Sequence, residues 1–228
     1  MKIGGFQKMT MLDFPGKIAC TIFTYGCNLR CPFCHNSSLV IEEAELISVD
    51  EILTYLERRK RLLDGVCITG GEPLLQSDIF ELMEKIKKIG LLVKLDTNGA
   101  YPEKLKEALE RGLVDYIAMD IKNSKEKYPL TTGIDALDIS PFEKSVEIIM
   151  NSGVDYEFRT TIVKEFHTVE DMKKIGEWIR GAKRYFLQGF VDSGALIGKG
   201  CSAHEKNTLE AFRDALLAYI PTTQLRGL

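Results

Sequence analysis

Six times along this chain, a short run of β-branched and apolar residues gives way to an amphipathic helical segment. The runs span residues 18–25, 66–69, 91–97, 116–121, 156–163 and 185–191. The helical segments span 49–63, 77–89, 102–111, 141–151, 169–179 and 205–219. In the second of these, Ile79, Leu82, Met83, Ile86 and Ile89 recur at the three-and-four spacing of one buried helix face. Ser48 followed three residues later by Glu51, and Pro102 and Pro141 in first turns, mark helix starts. Strand-then-helix units in series demand an α/β fold with a parallel sheet and right-handed crossovers. Six units fall two short of a closed eight-unit barrel. Periodicity therefore admits either an incomplete (β/α)6 TIM-like barrel or an open doubly wound sheet. No low-complexity stretch or composition break interrupts the 228 residues, which read as a single domain over 1–228.

Chemically distinctive residues collect where the runs end. Gly26-Cys27 follows the first run and Gly70-Gly71-Glu72-Pro73 the second. Asp96-Thr97-Asn98-Gly99 closes the third, Asp120 and Lys122 the fourth, and Gln188 lies in the sixth. In parallel α/β architectures that sheet edge is where active sites are assembled. Charge excludes other classes: 30 Lys and Arg against 33 Asp and Glu leave −3, which offers no basic footprint for nucleic acid. No apolar run approaches the ~18–20 residues of a membrane span. The first 16 residues lack the apolar core of a secretory signal, so the expected compartment is the cytoplasm.

Of six cysteines, three crowd into eight residues as Cys27-Asn-Leu-Arg-Cys31-Pro-Phe-Cys34-His35, a C-x3-C-x2-C spacing on one loop. In a reducing compartment, clustered thiols bind metal or do redox work more often than they pair. A structural zinc site wants four ligands, and only three thiols are here, with His35 too close to Cys34 for easy joint ligation. Cys31-Pro-Phe-Cys34-His35 also reads as the C-x-x-C-H pattern of haem attachment, which goes with export. A three-thiolate iron–sulfur cluster leaves one iron open to a ligand.

The cysteine spacing after a first strand, with Gly-Gly-Glu-Pro after a second, resembles the radical S-adenosylmethionine superfamily. Asp13-Phe14-Pro15-Gly16, Asp96-Thr97-Asn98-Gly99 and Met119-Asp120-Ile121-Lys122 narrow the resemblance. They are similar to the glycyl-radical-enzyme activases, above all the activating protein of anaerobic ribonucleoside-triphosphate reductase and its pyruvate formate-lyase activase relatives. The resemblance covers roughly residues 1–190. It implies an incomplete barrel with a core at about 16–190 and a C-terminal helix and tail at about 204–228. It implies that Cys27, Cys31 and Cys34 hold three irons of a [4Fe–4S] cluster, whose fourth iron chelates S-adenosylmethionine. The main chain of Gly70, Gly71 and Glu72 would meet the methionyl amino group. Phe33 and the main chain at Cys34 and His35 would lie against adenine. Asp120, Ile121 and Lys122 would reach the ribose and carboxylate region, and Asp96 would hold a monovalent cation there. One electron would cleave the sulfonium, and the resulting 5′-deoxyadenosyl radical would take a hydrogen from a glycine of the partner enzyme.

Each assignment has a plainer counterpart. Asp96 and Asn98 also make a good turn, and Asp120, Lys122 and Arg159 could form a buried salt bridge instead of touching a ligand. Gln188 stands where the pyruvate formate-lyase branch has a histidine, which leans away from that branch. Cys20 and Cys67 read as small buried hydrophobes and Cys201 as a loop thiol. The basic run Arg58-Arg59-Lys60-Arg61 closes a helix, favourably for the helix dipole, or forms a docking patch for a flavodoxin- or ferredoxin-type electron donor. The tail 221–228, with Arg226, is a candidate partner-contacting segment. An activase of another glycyl-radical enzyme of the pyruvate formate-lyase type, a small-molecule radical enzyme, or a plain iron–sulfur electron-transfer or zinc-binding protein are the alternative functions.

Overall fold

Among the described residues, eight strands form one sheet in which spatial order follows chain order. They are β1 (Ile3–Thr10), β2 (Ala19–Thr24), β3 (Gly65–Gly70), β4 (Leu92–Thr97), β5 (Tyr116–Asp120), β6 (Asp155–Ile162), β7 (Tyr185–Gly189) and β8 (Gln224–Arg226). The helices are α1 (Ser37–Val40), α2 (Val49–Arg59), α3 (Ile79–Ile89), α4 (Pro102–Glu110), α5 (Tyr128–Thr132), α6 (Ser140–Asn151), α7 (Val169–Trp178) and α8 (Lys206–Leu216). This computed structural model describes every residue except 42, 43, 193 and 228. The six expected runs are β2 to β7, all parallel. Among the described residues no pairing joins β8 back to β1, so the barrel is incomplete. No helix among them is long and apolar enough to cross a membrane.

Alternation along each strand sorts residues between two environments. Ile22, Ile68, Leu95, Ile117 and Phe158 face outward and are fully buried beneath the helices. Each such side chain contributes roughly 1.5–3 kcal/mol by leaving water. They meet apolar helix faces such as Ile79, Leu82, Met83 and Ile86 of α3, the face expected from the sequence. The opposite parity faces the barrel interior, where the register sets Thr21 beside Cys67, Cys67 beside Lys94, and Lys94 beside Tyr116. The N-terminal end of the barrel is closed by Phe14, which packs on Ala19, Leu92 and Tyr116. Gly65 makes room for it: a methyl there would stand 2.8 Å from both the Phe14 ring and the Leu92 carbonyl. Pro102 and Pro141 lie in first turns as expected, whereas Ser48 occupies the N-cap position of α2 without a side-chain cap bond.

Two strands were not anticipated. β1 pairs antiparallel with β2 through a ladder with two irregularities, and its Ile-Gly-Gly-Phe-Gln-Lys sequence carries little strand signal. β8 extends the parallel sheet beyond β7 and so gives the tail a place at the sheet's edge; Leu228 lies outside the described residues. Arg226 of β8 turns inward and grips Glu157 with two hydrogen bonds, 2.8 and 3.0 Å. Tyr116 donates a third to the same carboxylate at 2.9 Å, and the Arg226 guanidinium stacks 3.3 Å over the Phe186 ring.

Glu157 is 1% exposed, so losing its partner strands a buried charge. Arg226→Ala should destabilise the protein by about 2–3 kcal/mol, below the ~3–5 kcal/mol of a wholly buried pair because Arg226 is itself over one-third exposed. Adding Glu157→Gln should recover part of that loss. Urea unfolding of the single and double variants measures both, and an additive or worse double variant would show that the pair is not the cause.

Candidate active site

The loops at the C-terminal ends of β2 to β7 enclose an open cavity of about 290 Å3. Cys27, Cys31 and Cys34 all line it, and all three are free thiols. Their loop is held from several sides. Arg30 donates its backbone N–H to Thr132 of α5 at 2.9 Å, Cys34 turns back to the Cys31 carbonyl at 3.1 Å, and Leu29 donates to Cys27 Sγ at 3.4 Å. Burial pushes the Cys27 thiol up to about 12 and Cys31 to about 11, and raises Cys34 as well. Without a coordinated ion the thiols keep their protons, and metal uptake releases them. Among the described residues, no three His, Cys, Asp or Glu side chains converge on a single-ion position as zinc requires. A multi-iron cluster takes one thiolate per iron and needs no such convergence. The donor set fits a three-thiolate iron–sulfur cluster.

Beneath the thiols, five charges alternate across the barrel interior. Lys94 pairs with Asp96; Arg159 bonds Asp96 at 3.0 Å and Asp120 at 3.0 Å; Lys122 bonds Asp120 at 3.0 Å. Strand parity explains the row: Lys94 and Asp96 are two apart on β4, Asp120 and Lys122 two apart at the end of β5, and Arg159 is the register partner of Asp120. Burial works to raise the Asp120 carboxyl, but Lys122 and Arg159 outweigh it and bring it to about 2. Asp96 is held low against the same burial cost by Arg159 and Lys94. Three cations face two carboxylates, so one positive charge is left over for an anionic ligand group. The salt-bridge reading and the ligand-contact reading are therefore compatible, because Asp96, Asp120, Lys122 and Arg159 all also line the cavity. Lys94 was missed, although its two-residue offset from Asp96 was visible. A monovalent cation at Asp96 would share its carboxylate with Lys94 and Arg159, which already supply the positive charge there.

The Gly-Gly-Glu-Pro turn is built differently from expectation. A methyl on Gly71 would stand 1.9 Å from the Gly26 carbonyl, so this glycine is demanded by the residue before Cys27. The N–H groups of Gly71 and Glu72 donate to the carbonyls of Thr24 and Gly26, 2.9 Å each. Asn36 Nδ2 donates to the Gly70 carbonyl at 2.9 Å, a tie the sequence did not reveal. Glu72 is fully buried behind the cavity wall. Its carboxylate accepts from Leu74 N–H at 3.1 Å, Thr97 Oγ1 at 2.8 Å and Asn98 N–H at 2.7 Å. Burial raises this carboxyl to about 7 although those donors pull the other way. Glu72 braces the Asp96–Gly99 turn and does not line the cavity.

Ile121 is likewise corrected. It alternates with Asp120 and Lys122, so its side chain points into the core, and its N–H and carbonyl are taken by Arg159 and Thr160. Phe33, His35, Gly70, Asn98 and Gln188 do line the cavity, joined by Leu29, Thr69 and Thr161, which carried no motif. His35 stacks on Phe190 with ring centroids 5.7 Å apart. The basic run lies elsewhere. It ends α2 just before the N-terminal end of β3, whereas the thiols sit past the strands' C-terminal ends, roughly 20 Å along a six-residue strand. An electron donor seated on that run would be remote from the thiols, so the docking-patch reading is set aside. Cys20 and Cys67 are buried, and Cys201 is half-buried in a loop.

The family model of the radical SAM superfamily matches residues 21–179. A Methanocaldococcus jannaschii protein named as a glycyl-radical enzyme activating enzyme is 33% identical over 197 residues, covering 85% of this chain and 81% of that one. The pyruvate formate-lyase-activating enzyme of Clostridium pasteurianum is 30% identical over 190 residues, covering 80% and 77%. Among solved structures, SuiB of Streptococcus suis superposes with a TM-score of 0.72 at 16% identity, covering 91% of this chain. This chain spans 48% of that protein's length, and the likeness speaks for the fold alone. A match through five of the six parallel units, together with a relative aligned over most of both chains, settles the assignment: the chain belongs to the radical S-adenosylmethionine superfamily.

Proposed function

We propose that this enzyme generates a glycyl radical on a partner protein, and that the partner is anaerobic ribonucleoside-triphosphate reductase. The observation that carries the reading is the convergence of Cys27, Cys31 and Cys34 with Asp96, Asp120, Lys122 and Arg159 on one cavity. The activating-enzyme relatives from Methanocaldococcus jannaschii and Clostridium pasteurianum support the activase class. Gln188, in place of a histidine, favours the reductase partner over pyruvate formate-lyase.

Cys27, Cys31 and Cys34 would hold a [4Fe–4S] cluster, and the cavity would receive S-adenosylmethionine. When bound, the pair supplies one-electron cleavage of the sulfonium and a carbon radical able to abstract hydrogen. The chain's own residues position and shield. Lys122 and the surplus charge of the ion row suit a ligand carboxylate. Asp120, pinned by two cations, stays ionised and able to accept from hydroxyl groups down to about pH 2. Phe33 and His35 provide flat apolar and aromatic surface for a base. The mouth is open, and a glycine-bearing loop of the partner would complete its enclosure and keep solvent from the radical.

Anaerobic reconstitution should load about four irons per chain. Ala at Cys27, Cys31 or Cys34 should abolish the cluster, and Ser at Cys201 should not; stoichiometric zinc in the wild type would overturn the cluster reading. Gly71→Ala should lose most of its iron as well, because the added methyl displaces Gly26 and with it the cysteine loop. Iron analysis and thermal melting of that variant check this. Reduced enzyme, S-adenosylmethionine and the candidate reductase should give a glycyl-radical doublet in the electron paramagnetic resonance spectrum. A doublet only with another glycyl-radical enzyme would reassign the partner, and turnover of a small metabolite instead would refute the activase reading.

A further inference from the structure

Asn98 has a partner at its amide oxygen and for both of its amide hydrogens. Its Oδ1 accepts from the Ala100 N–H at 2.9 Å, and its Nδ2 donates to Asn28 Oδ1 at 2.9 Å and to Cys27 Sγ at 3.7 Å. This pattern fixes which end of the amide faces the sulfur. Turning it over would set the oxygen against Asn28 Oδ1 and the sulfur, and would lose the Ala100 bond. Asn98 is 6% exposed, and its backbone N–H is anchored on the buried Glu72 carboxylate at 2.7 Å. A chain of contacts therefore runs from the glycine-rich turn, through Asn98, to the sulfur of the first cysteine.

We infer that Asn98 is a positioning residue which acts through Cys27 to raise the reduction potential of the iron–sulfur cluster, in addition to lining the ligand cavity. The inference rests on the reading of Cys27 as a cluster ligand. Potentials of such clusters respond to hydrogen bonds at their sulfurs, to net charge and to solvent exposure. An N–H aimed at a thiolate stabilises electron density placed on that sulfur, so the donor favours the reduced state over the oxidised one. Here the donor is a buried side chain in low-dielectric surroundings, where the same hydrogen bond counts for more than in water. The backbone N–H of Leu29 bonds the same sulfur at 3.4 Å, so Cys27 receives two donors, one of which can be removed by substitution. Cys67 is the cysteine that faces the ion row, with Lys94 and Asp96 nearby; it is not part of the sulfur set at the mouth.

The ligand-binding and tuning roles separate experimentally because the potential can be measured without S-adenosylmethionine. Reconstituted wild type, Asn98→Leu and Asn98→Asp would be titrated under argon against low-potential mediators, with the reduced cluster followed by electron paramagnetic resonance. Asn98→Leu removes the donor without adding charge. Asn98→Asp keeps the acceptor for Ala100, and so the turn, but puts an acceptor against the sulfur. Both should shift to more negative potential, Leu by about tenfold in the equilibrium constant for reduction, ~59 mV for one electron, and Asp by more. Iron content should stay near that of wild type. Asn28→Ala, which frees one amide hydrogen of Asn98 but leaves the other on the sulfur, should shift the potential far less than Asn98→Leu.

An unchanged potential in both Asn98 variants at full iron content would overturn the inference, and would leave Asn98 as a turn residue whose loss moves only the melting temperature. If Asn98→Leu failed to load iron, Asn98→Ser, whose hydroxyl is too short to reach the sulfur, would take its place with the same expected direction. Failure of the wild type to load iron would instead refute the cluster reading on which the inference stands.

Discussion

The row Lys94, Asp96, Arg159, Asp120 and Lys122 is the interaction on which the rest of this molecule depends. Each charge alone would be prohibitively costly inside a protein, and even a buried pair often does no better than an apolar substitute. Alternation of sign along the row, with hydrogen bonds at every junction, makes the arrangement tolerable. No described buried side-chain polar atom lacks a partner. In exchange the barrel gains a rigid polar floor under its cysteine loop. Removing Asp96 would strand Lys94 and removing Asp120 would strand Lys122, whereas each carboxylate keeps one cation when the other is lost. The outward-facing half of the same strands carries the ordinary apolar core, which frees the inward half for this purpose.

Much of this was legible in the chain because strand parity and helical spacing are local signals. The six parallel strands and their helices needed only short windows, and the cysteine spacing announced its own chemistry. β1 and β8 were not legible. The first is a glycine-containing, irregular edge strand, and the second has three residues, too few for any periodic signal to build up. Ile121 misled for a different reason. Motif membership locates a residue along the chain but does not say which way its side chain turns. Ile121 follows parity into the core, and the Glu72 side chain, whose bracing role carried no signal, folds back to serve the neighbouring loop. Lys94 was hidden because a lysine inside an apolar strand looks like an edge position until its partner Asp96 is seen beside it.

The contact between Gly71 and the Gly26 carbonyl shows how two motifs distant in sequence become one device. The cysteine loop and the glycine-rich turn end adjacent parallel strands, so their backbones must pass one another at the barrel mouth. Absence of a side chain at Gly71 lets them approach, and Asn36 and Glu72 then tie the turn to its neighbours on either side. Rigidity here belongs to the backbone of two loops, which is why the site needs few side chains of its own to hold its shape.

Glu157 and Arg226 are separated by 69 residues of chain. At ordinary rates of synthesis, about 5–20 residues per second, the carboxylate emerges roughly 3–14 seconds before its guanidinium. Until then the strand carrying it has reason to remain hydrated, and the polar interior is incomplete at its far end. The cysteine loop, more than a hundred residues earlier, is already made by that time. Its thiols thus meet the cell's pool of metals and oxidants before the barrel that shelters them is whole, so assembly of this protein is a question of order in time as well as of final architecture.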